Sequence, residues 1–67
     1  MMRSVLIDYT NWRGVRRKRV IIPQHTFWGH TTYHPEDQWL LTAVDTEDMV
    51  AKQFAMSGIH AWENYNG

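Results

Sequence analysis

Apolar and polar positions alternate in SVLIDYT (residues 4 to 10), with Val5, Ile7 and Tyr9 on one side and Ser4, Leu6, Asp8 and Thr10 on the other. A repeat of two, carried by β-branched and aromatic side chains, predicts a strand. Residues 11 to 14 follow with turn chemistry, and Gly14 is free to take positive φ. VRRKRVIIP (15 to 23) sets three crowded β-branched residues, Val20, Ile21 and Ile22, ahead of a proline. That run opposes a helix and predicts a second strand, which Pro23 either ends or places at a sheet edge. Residues 24 to 37, with Gly29 and Pro35, are the least regular part, and FWGHTTY within them offers at most a short strand. QWLLTAVD (38 to 45) predicts a strand with Trp39, Leu41 and Ala43 on one face. Thr46, Glu47 and Asp48 read as a solvated turn, or one helical turn capped by Thr46. VAKQFAM (50 to 56) predicts a strand with Phe54 and Met56 on a common face. Residues 57 to 62 close the chain through a short helical turn, and residues 65 to 67 read as a frayed end.

About five short strands joined by tight turns point to an all-β fold, curled into a small barrel because closure protects strand edges. The expected core joins Ile7, Ile22, Trp39, Leu41, Phe54 and Met56. An α+β alternative requires a helix over 46 to 56, where the apolar stripe is weak.

The 67 residues make a single domain, 1–67. A chain of this length hides only about 60% of the surface its unfolded form exposes. Four Trp, three Tyr and two Phe offset the few aliphatic positions, since aromatic rings supply the largest apolar burial per residue. There is no cysteine, hence no disulfide and no thiolate metal site. The formal net charge is zero, which removes a general attraction to nucleic acid or acidic membranes and leaves that task to a local patch. The opening residues lack the apolar run of a signal peptide, and no stretch approaches the ~20 apolar residues of a membrane span. The expectation is a soluble, cytoplasmic chain.

One local patch exists. Arg13, Arg16, Arg17, Lys18 and Arg19 crowd seven positions directly ahead of the aliphatic run. On a strand Arg17 and Arg19 point one way and Arg16 and Lys18 the other. Such charges either protect an edge from aggregation or form the footprint of a nucleic-acid site. Trp12 beside Arg13 fits the second use, a ring that stacks a base while cations hold phosphates. His25, His30 and His34, with Glu36 and Asp37 nearby and His60 distant, match no common zinc spacing, so no metal or other cofactor is predicted. Without Cys, a Ser in that segment or a Gly-rich phosphate cradle, no catalytic mechanism is complete, and the chain reads as non-enzymatic. Phe27, Trp28 and Tyr33, if exposed, offer a second function: an aromatic anchor for a protein partner or a homodimer.

Taken in order, RVIIP (19 to 23), WLLTAVD (39 to 45) and KQFAMSGI (52 to 59) resemble the WYL family, named for a Trp-Tyr-Leu tripeptide. The similarity covers roughly residues 5 to 62. Trp39 and Leu41 match the outer members of the tripeptide, while Leu40 stands in place of Tyr. Arg19 matches the Arg ahead of the Pro, and Lys52 replaces the Arg ahead of the Phe of the last segment. The resemblance implies an SH3-like or Sm-like β-barrel. It also implies a nucleotide or single-stranded nucleic acid as ligand and a regulatory role like that of WYL modules in bacterial transcription regulators. With four residues ahead of Val5, it implies a stand-alone copy without a helix-turn-helix. The ligand-binding residues it suggests, together with the basic stretch, are Trp12, Arg13, Arg16, Arg17, Lys18, Arg19 and Lys52.

Overall fold

The computed structural model describes residues 3–65. Among these residues the fold is all-β, with strands β1 (Ser4–Thr10), β2 (Arg16–Gly29), β3 (Gln38–Asp45), β4 (Val50–Ala55) and β5 (Ile59–Tyr65). A 3-10 turn, Met56–Gly58, links the last two. All neighbouring pairs are antiparallel, and the strands form one sheet in the order β4-β3-β2-β1-β5. The helix over 46 to 56 is absent: residues 46 to 49 are a turn and β4 begins at Val50. No ladder joins β4 to β5 among the described residues, so the sheet is not closed by hydrogen bonds into the expected barrel. The expected fraying at residues 66 and 67 lies outside the described residues, whereas Tyr65 belongs to β5.

β2 governs the shape. Its 14 residues would reach about 45 Å at ~3.3 Å per residue, yet the longest extent of the Cα framework is 34 Å. The strand must therefore bend, and a register shift between Pro23 and His25 supplies the irregularity. β2 pairs with β1 only up to Ile21, opposite Val5. From Pro23 onward it pairs with β3 as far as Gly29. Pro23 thus does not end the strand. It sits where β2 becomes an edge on the β1 side, the one place its missing N–H costs nothing. Residues 24 to 29, read as irregular, are strand because β3 offers them a complete partner.

Alternation in β1 sends Val5, Ile7 and Tyr9 inward, where they pack with Ile21, Leu41, Ala43 and Phe54, and with Ile59 at the margin. The rings of Tyr9 and Phe54 meet edge to face at 5.1 Å, although their strands are not neighbours in the sheet. Three expected core members are displaced. Ile22 is half-buried on the opposite side of β2, Met56 is exposed in the 3-10 turn, and Trp39 is 55% exposed. Trp39 has the parity of Leu41, but it stands at the far end of the β2–β3 hairpin, opposite Trp28, in a stretch where β2 has lost its β1 partner.

Candidate ligand-binding site

Two connections and three strands, β1, β2 and β4, enclose a concave pocket of about 370 Å³, within the size range of small-ligand sites. The β1–β2 turn contributes Trp12. Its geometry is fixed by Asn11, whose Oδ1 accepts from the N–H groups of Arg13 (2.9 Å) and Val15 (3.0 Å), and by Gly14 at φ +80°. The β2–β3 connection contributes Tyr33 and His34, held in a small reverse turn by the Thr31 N–H donating to His34 O at 2.9 Å. Tyr9, Arg19, Lys52, Gln53 and Phe54 come from the strands. The Trp12 and Tyr33 rings touch, with centroids 5.1 Å apart and planes tilted by 30°.

Asp45 organises the cations of this pocket. It is almost wholly buried, and it accepts from Arg19 Nη1 at 2.9 Å, from Lys52 Nζ at 3.2 Å and from the Glu47 N–H at 3.0 Å. Burial opposes its ionisation more than any single partner favours it. The Glu47 N–H, Lys52 and Arg19 together outweigh burial and hold the carboxyl below its ordinary 3.8. Lys52 also meets Asp48 Oδ2 at 2.8 Å, which, against some desolvation, raises its pKa and keeps it charged. The Arg19 side chain is only 14% exposed. Its guanidinium lies 6.0 Å from the Phe54 ring centroid, and its buried Nε has no acceptor. Burial pushes the Tyr9 hydroxyl above its usual pKa, so it stays neutral and accepts from the Ala55 N–H at 3.0 Å. Although Asp45 lies behind Arg19 and Lys52, no carboxylate lines the pocket itself. Its surface offers two cations and the two exposed aromatic faces of Trp12 and Tyr33, above the buried rings of Tyr9 and Phe54.

The basic stretch divides according to strand parity. Arg17 and Arg19 stand opposite Tyr9 and Ile7, and Arg16 and Lys18 opposite Thr10 and Asp8. Arg16 clasps Asp8 with two parallel hydrogen bonds of 2.9 Å, and this contact lowers the Asp8 pKa. Arg17 reaches Glu47 at 3.0 Å. Of the six candidate cations, only Arg13 and Lys18 have no carboxylate partner among the described residues; Arg13 instead lies 5.5 Å over the Trp12 ring. The cluster is therefore no continuous free patch, because three of the five cations in the stretch are paired with carboxylates.

The aromatic group Phe27, Trp28 and Tyr33 also separates. Tyr33 joins Trp12 at the pocket, Phe27 is half-buried, and Trp28 packs edge to face on Trp39 at 5.7 Å. The histidines disperse as well. His30 Nδ1 lies 2.9 Å from Asp37 Oδ1, His60 Nε2 lies 2.7 Å from Thr10 Oγ1, and His25 stands beside Phe27. No three metal-capable side chains gather among the described residues.

Sequence reasoning missed two features of the site: the role of Asp45 and the meeting of Trp12 with Tyr33. Asp45 was legible from parity, since a carboxylate that continues the alternate positions Leu41 and Ala43 faces the core and needs cationic partners. The Trp12–Tyr33 meeting had no sequence signal, for it depends on how the two connections fold toward each other. Comparison with protein-family models, with characterised proteins and with solved structures gives no match.

Proposed function

We propose that the chain is a non-enzymatic, WYL-like ligand-binding module of the cytoplasm. It takes a nucleotide, or an unpaired stretch of nucleic acid, into the pocket between Trp12, Tyr33, Arg19 and Lys52. The observation that carries this reading is the lining: two cations and exposed aromatic rings share one cavity with no carboxylate at its surface. Phosphate is attracted to Arg19 and Lys52, and a planar ring finds apolar faces beside them. The SH3-like or Sm-like barrel is part of the same proposal. It is supported by the turn Met56–Gly58, which carries the chain from one edge strand to the other, and by the Tyr9–Ala55 bond between non-neighbouring strands. A regulatory role follows from ligand capture without chemistry.

A chemical-shift titration of labelled protein with nucleotides and short single-stranded DNA and RNA tests the reading. The expected shifts centre on Trp12, Tyr33 and Lys52. The salt dependence should be shallow, about −1.4 in log–log slope, because the pocket offers two cations and so about two contacted phosphates. Shifts confined to other surfaces, or none at low salt, would overturn it.

A second reading has its own observation. Trp28 (60% exposed), Trp39 and Met56 present an apolar surface at the hairpin end, and aromatic side chains of this kind anchor protein partners. In that case the chain is an adaptor or a homodimer subunit. Alanine at Trp28 and Trp39 should then abolish self-association or partner binding, with no dependence on salt.

A further inference from the structure

The pocket carries a feature that phosphate binding does not require. Trp12 and Tyr33 are each more than half exposed, 55% and 61%, and they belong to different connections, yet their rings lie against each other. A tilt of 30° at a centroid distance of 5.1 Å is a wedge rather than a close parallel stack. Parallel stacking on both faces of a third ring needs roughly 7 Å between the outer rings, twice the ~3.5 Å contact distance of carbon atoms. Widening the pair by about 2 Å and removing the tilt would therefore admit one planar ring.

The two rings are mounted differently. Trp12 is seated on a turn tied by the Asn11 side chain and by the Gly14 N–H donating to Asn11 O at 2.9 Å. Arg13 lies over its ring. Tyr33 is carried by the four-residue turn from Thr31 to His34, on a connection whose neck is spanned by the exposed His30–Asp37 contact. The Tyr33 turn is closed by backbone bonds within its own connection, Thr31 N–H to His34 O and His34 N–H to Thr31 O, and the Trp12 turn by bonds to Asn11. Both rings line the cavity that also holds Arg19 and Lys52.

We propose that Trp12 and Tyr33 are the two jaws of a clamp that sandwiches a single unpaired nucleobase, so that the site selects single-stranded over duplex nucleic acid. This rests on the pocket being the site of nucleotide or nucleic-acid binding. A base inside a duplex already has both faces stacked and cannot enter between two rings. An unpaired base enters with its phosphate left outside the jaws, toward Lys52 and Arg19. Because a sandwich reads ring faces and not ring edges, purines should be held more firmly than pyrimidines, with little further sequence preference.

The test compares three probes of equal length and charge per strand: a short adenine oligonucleotide, the same oligomer with abasic residues throughout, and its duplex. The clamp predicts that the abasic strand and the duplex bind about tenfold or more weakly than the parent. Trp12→Leu and Tyr33→Leu should each bring the parent down to the abasic level, while Tyr33→Phe retains the difference. Circular dichroism should show both Leu variants folded, since each ring is exposed. If the abasic strand binds as tightly as the parent and with the same salt slope, the clamp is overturned while the anionic-ligand reading survives. If no probe binds the wild-type protein at low ionic strength, both fall together.

Discussion

The Ala55 N–H donates to the Tyr9 hydroxyl at 3.0 Å, tying the end of β4 to the end of β1 although two strands separate them in the sheet. No β ladder makes this connection. It works with the edge-to-face contact of Tyr9 on Phe54 to hold the sheet in its curl. That curl sets the wall of the pocket, since Tyr9 and Phe54 both line it beside Arg19.

Tyr9→Phe should therefore cost more than an ordinary lost hydroxyl. The ring remains, but the amide of a buried residue loses its acceptor. The expected loss is about 1–3 kcal/mol in chemical denaturation, with faster hydrogen exchange at Ala55. Unchanged stability together with unchanged exchange would mean that water replaces the hydroxyl and that the tie does not hold the curl.

Gly58 makes a second prediction at the same seam. A Cβ there would lie 2.5 Å from the Thr10 carbonyl oxygen and 2.8 Å from Tyr9 Cε1. The backbone oxygen has little freedom to retreat. Gly58→Ala should push the 3-10 turn away from β1 and destabilise the fold by about 1–3 kcal/mol. The thermal midpoint measures this, and Gly14→Ala provides a contrast. Nothing stands near a Cβ at Gly14, and its cost arises only from positive φ.

The strand elements were legible because their signals are local. Alternation in residues 4 to 10 and the solvated turn at 46 to 48 required nothing beyond neighbouring residues. Pro23 was ambiguous for a physical reason: the same missing N–H ends a strand or merely bars one partner, and only the parting of β1 from β2 decides between them. Trp39 misled in the opposite way. Its parity is that of the core, but burial also needs a covering layer, and whether another strand lies across the hairpin end is not written in the hairpin. The basic stretch was readable as charge but not as free charge, because Asp8 reaches it from β1 and Asp45 and Glu47 from the β3–β4 junction.

Trp39→Ala tests that reading of the hairpin end. A core tryptophan replaced by alanine costs about 3–5 kcal/mol. An exposed one that loses only an edge-to-face partner should cost about 0.5–1.5 kcal/mol. Phe54→Ala, in the core, should lie in the higher range. Equal losses in denaturant titrations of the two variants would show that Trp39 is covered in solution.

Asp45 should contribute to the behaviour in acid, as should Asp8 and Asp48, which their cationic partners also hold below the ordinary value. The folded pKa of Asp45 lies below the ordinary value, despite burial, because the Glu47 amide, Lys52 and Arg19 favour the carboxylate. Its stabilising contribution is thus complete above the unfolded value of about 4 and is lost as pH falls through the lower folded value. Asp45→Asn leaves Arg19 without its counter-charge in a largely buried position and should cost about 3–5 kcal/mol at neutral pH. The variant should also show a shallower decline of stability below about pH 4. A decline as steep as in the parent protein would assign the acid response to the exposed carboxylates instead.

Lys52 and Arg16 separate the pocket from the basic strand as the place where an anionic ligand sits. Lys52 lines the cavity, and Arg16 stands on the opposite parity of β2, clasped to Asp8. If phosphate enters the pocket, Lys52→Gln should weaken binding of single strands and reduce the log–log salt slope by about 0.7, the effect of one lost contact. Arg16→Gln should alter neither, since Arg16 has the opposite parity on β2 and does not line the pocket. Fluorescence anisotropy at several salt concentrations measures both variants against the parent. The reverse pattern, a flattened slope for Arg16→Gln with Lys52→Gln unaffected, would move the ligand out of the pocket and onto the outer face of β2. There Lys18 and a released Arg16 would be the cations that hold it.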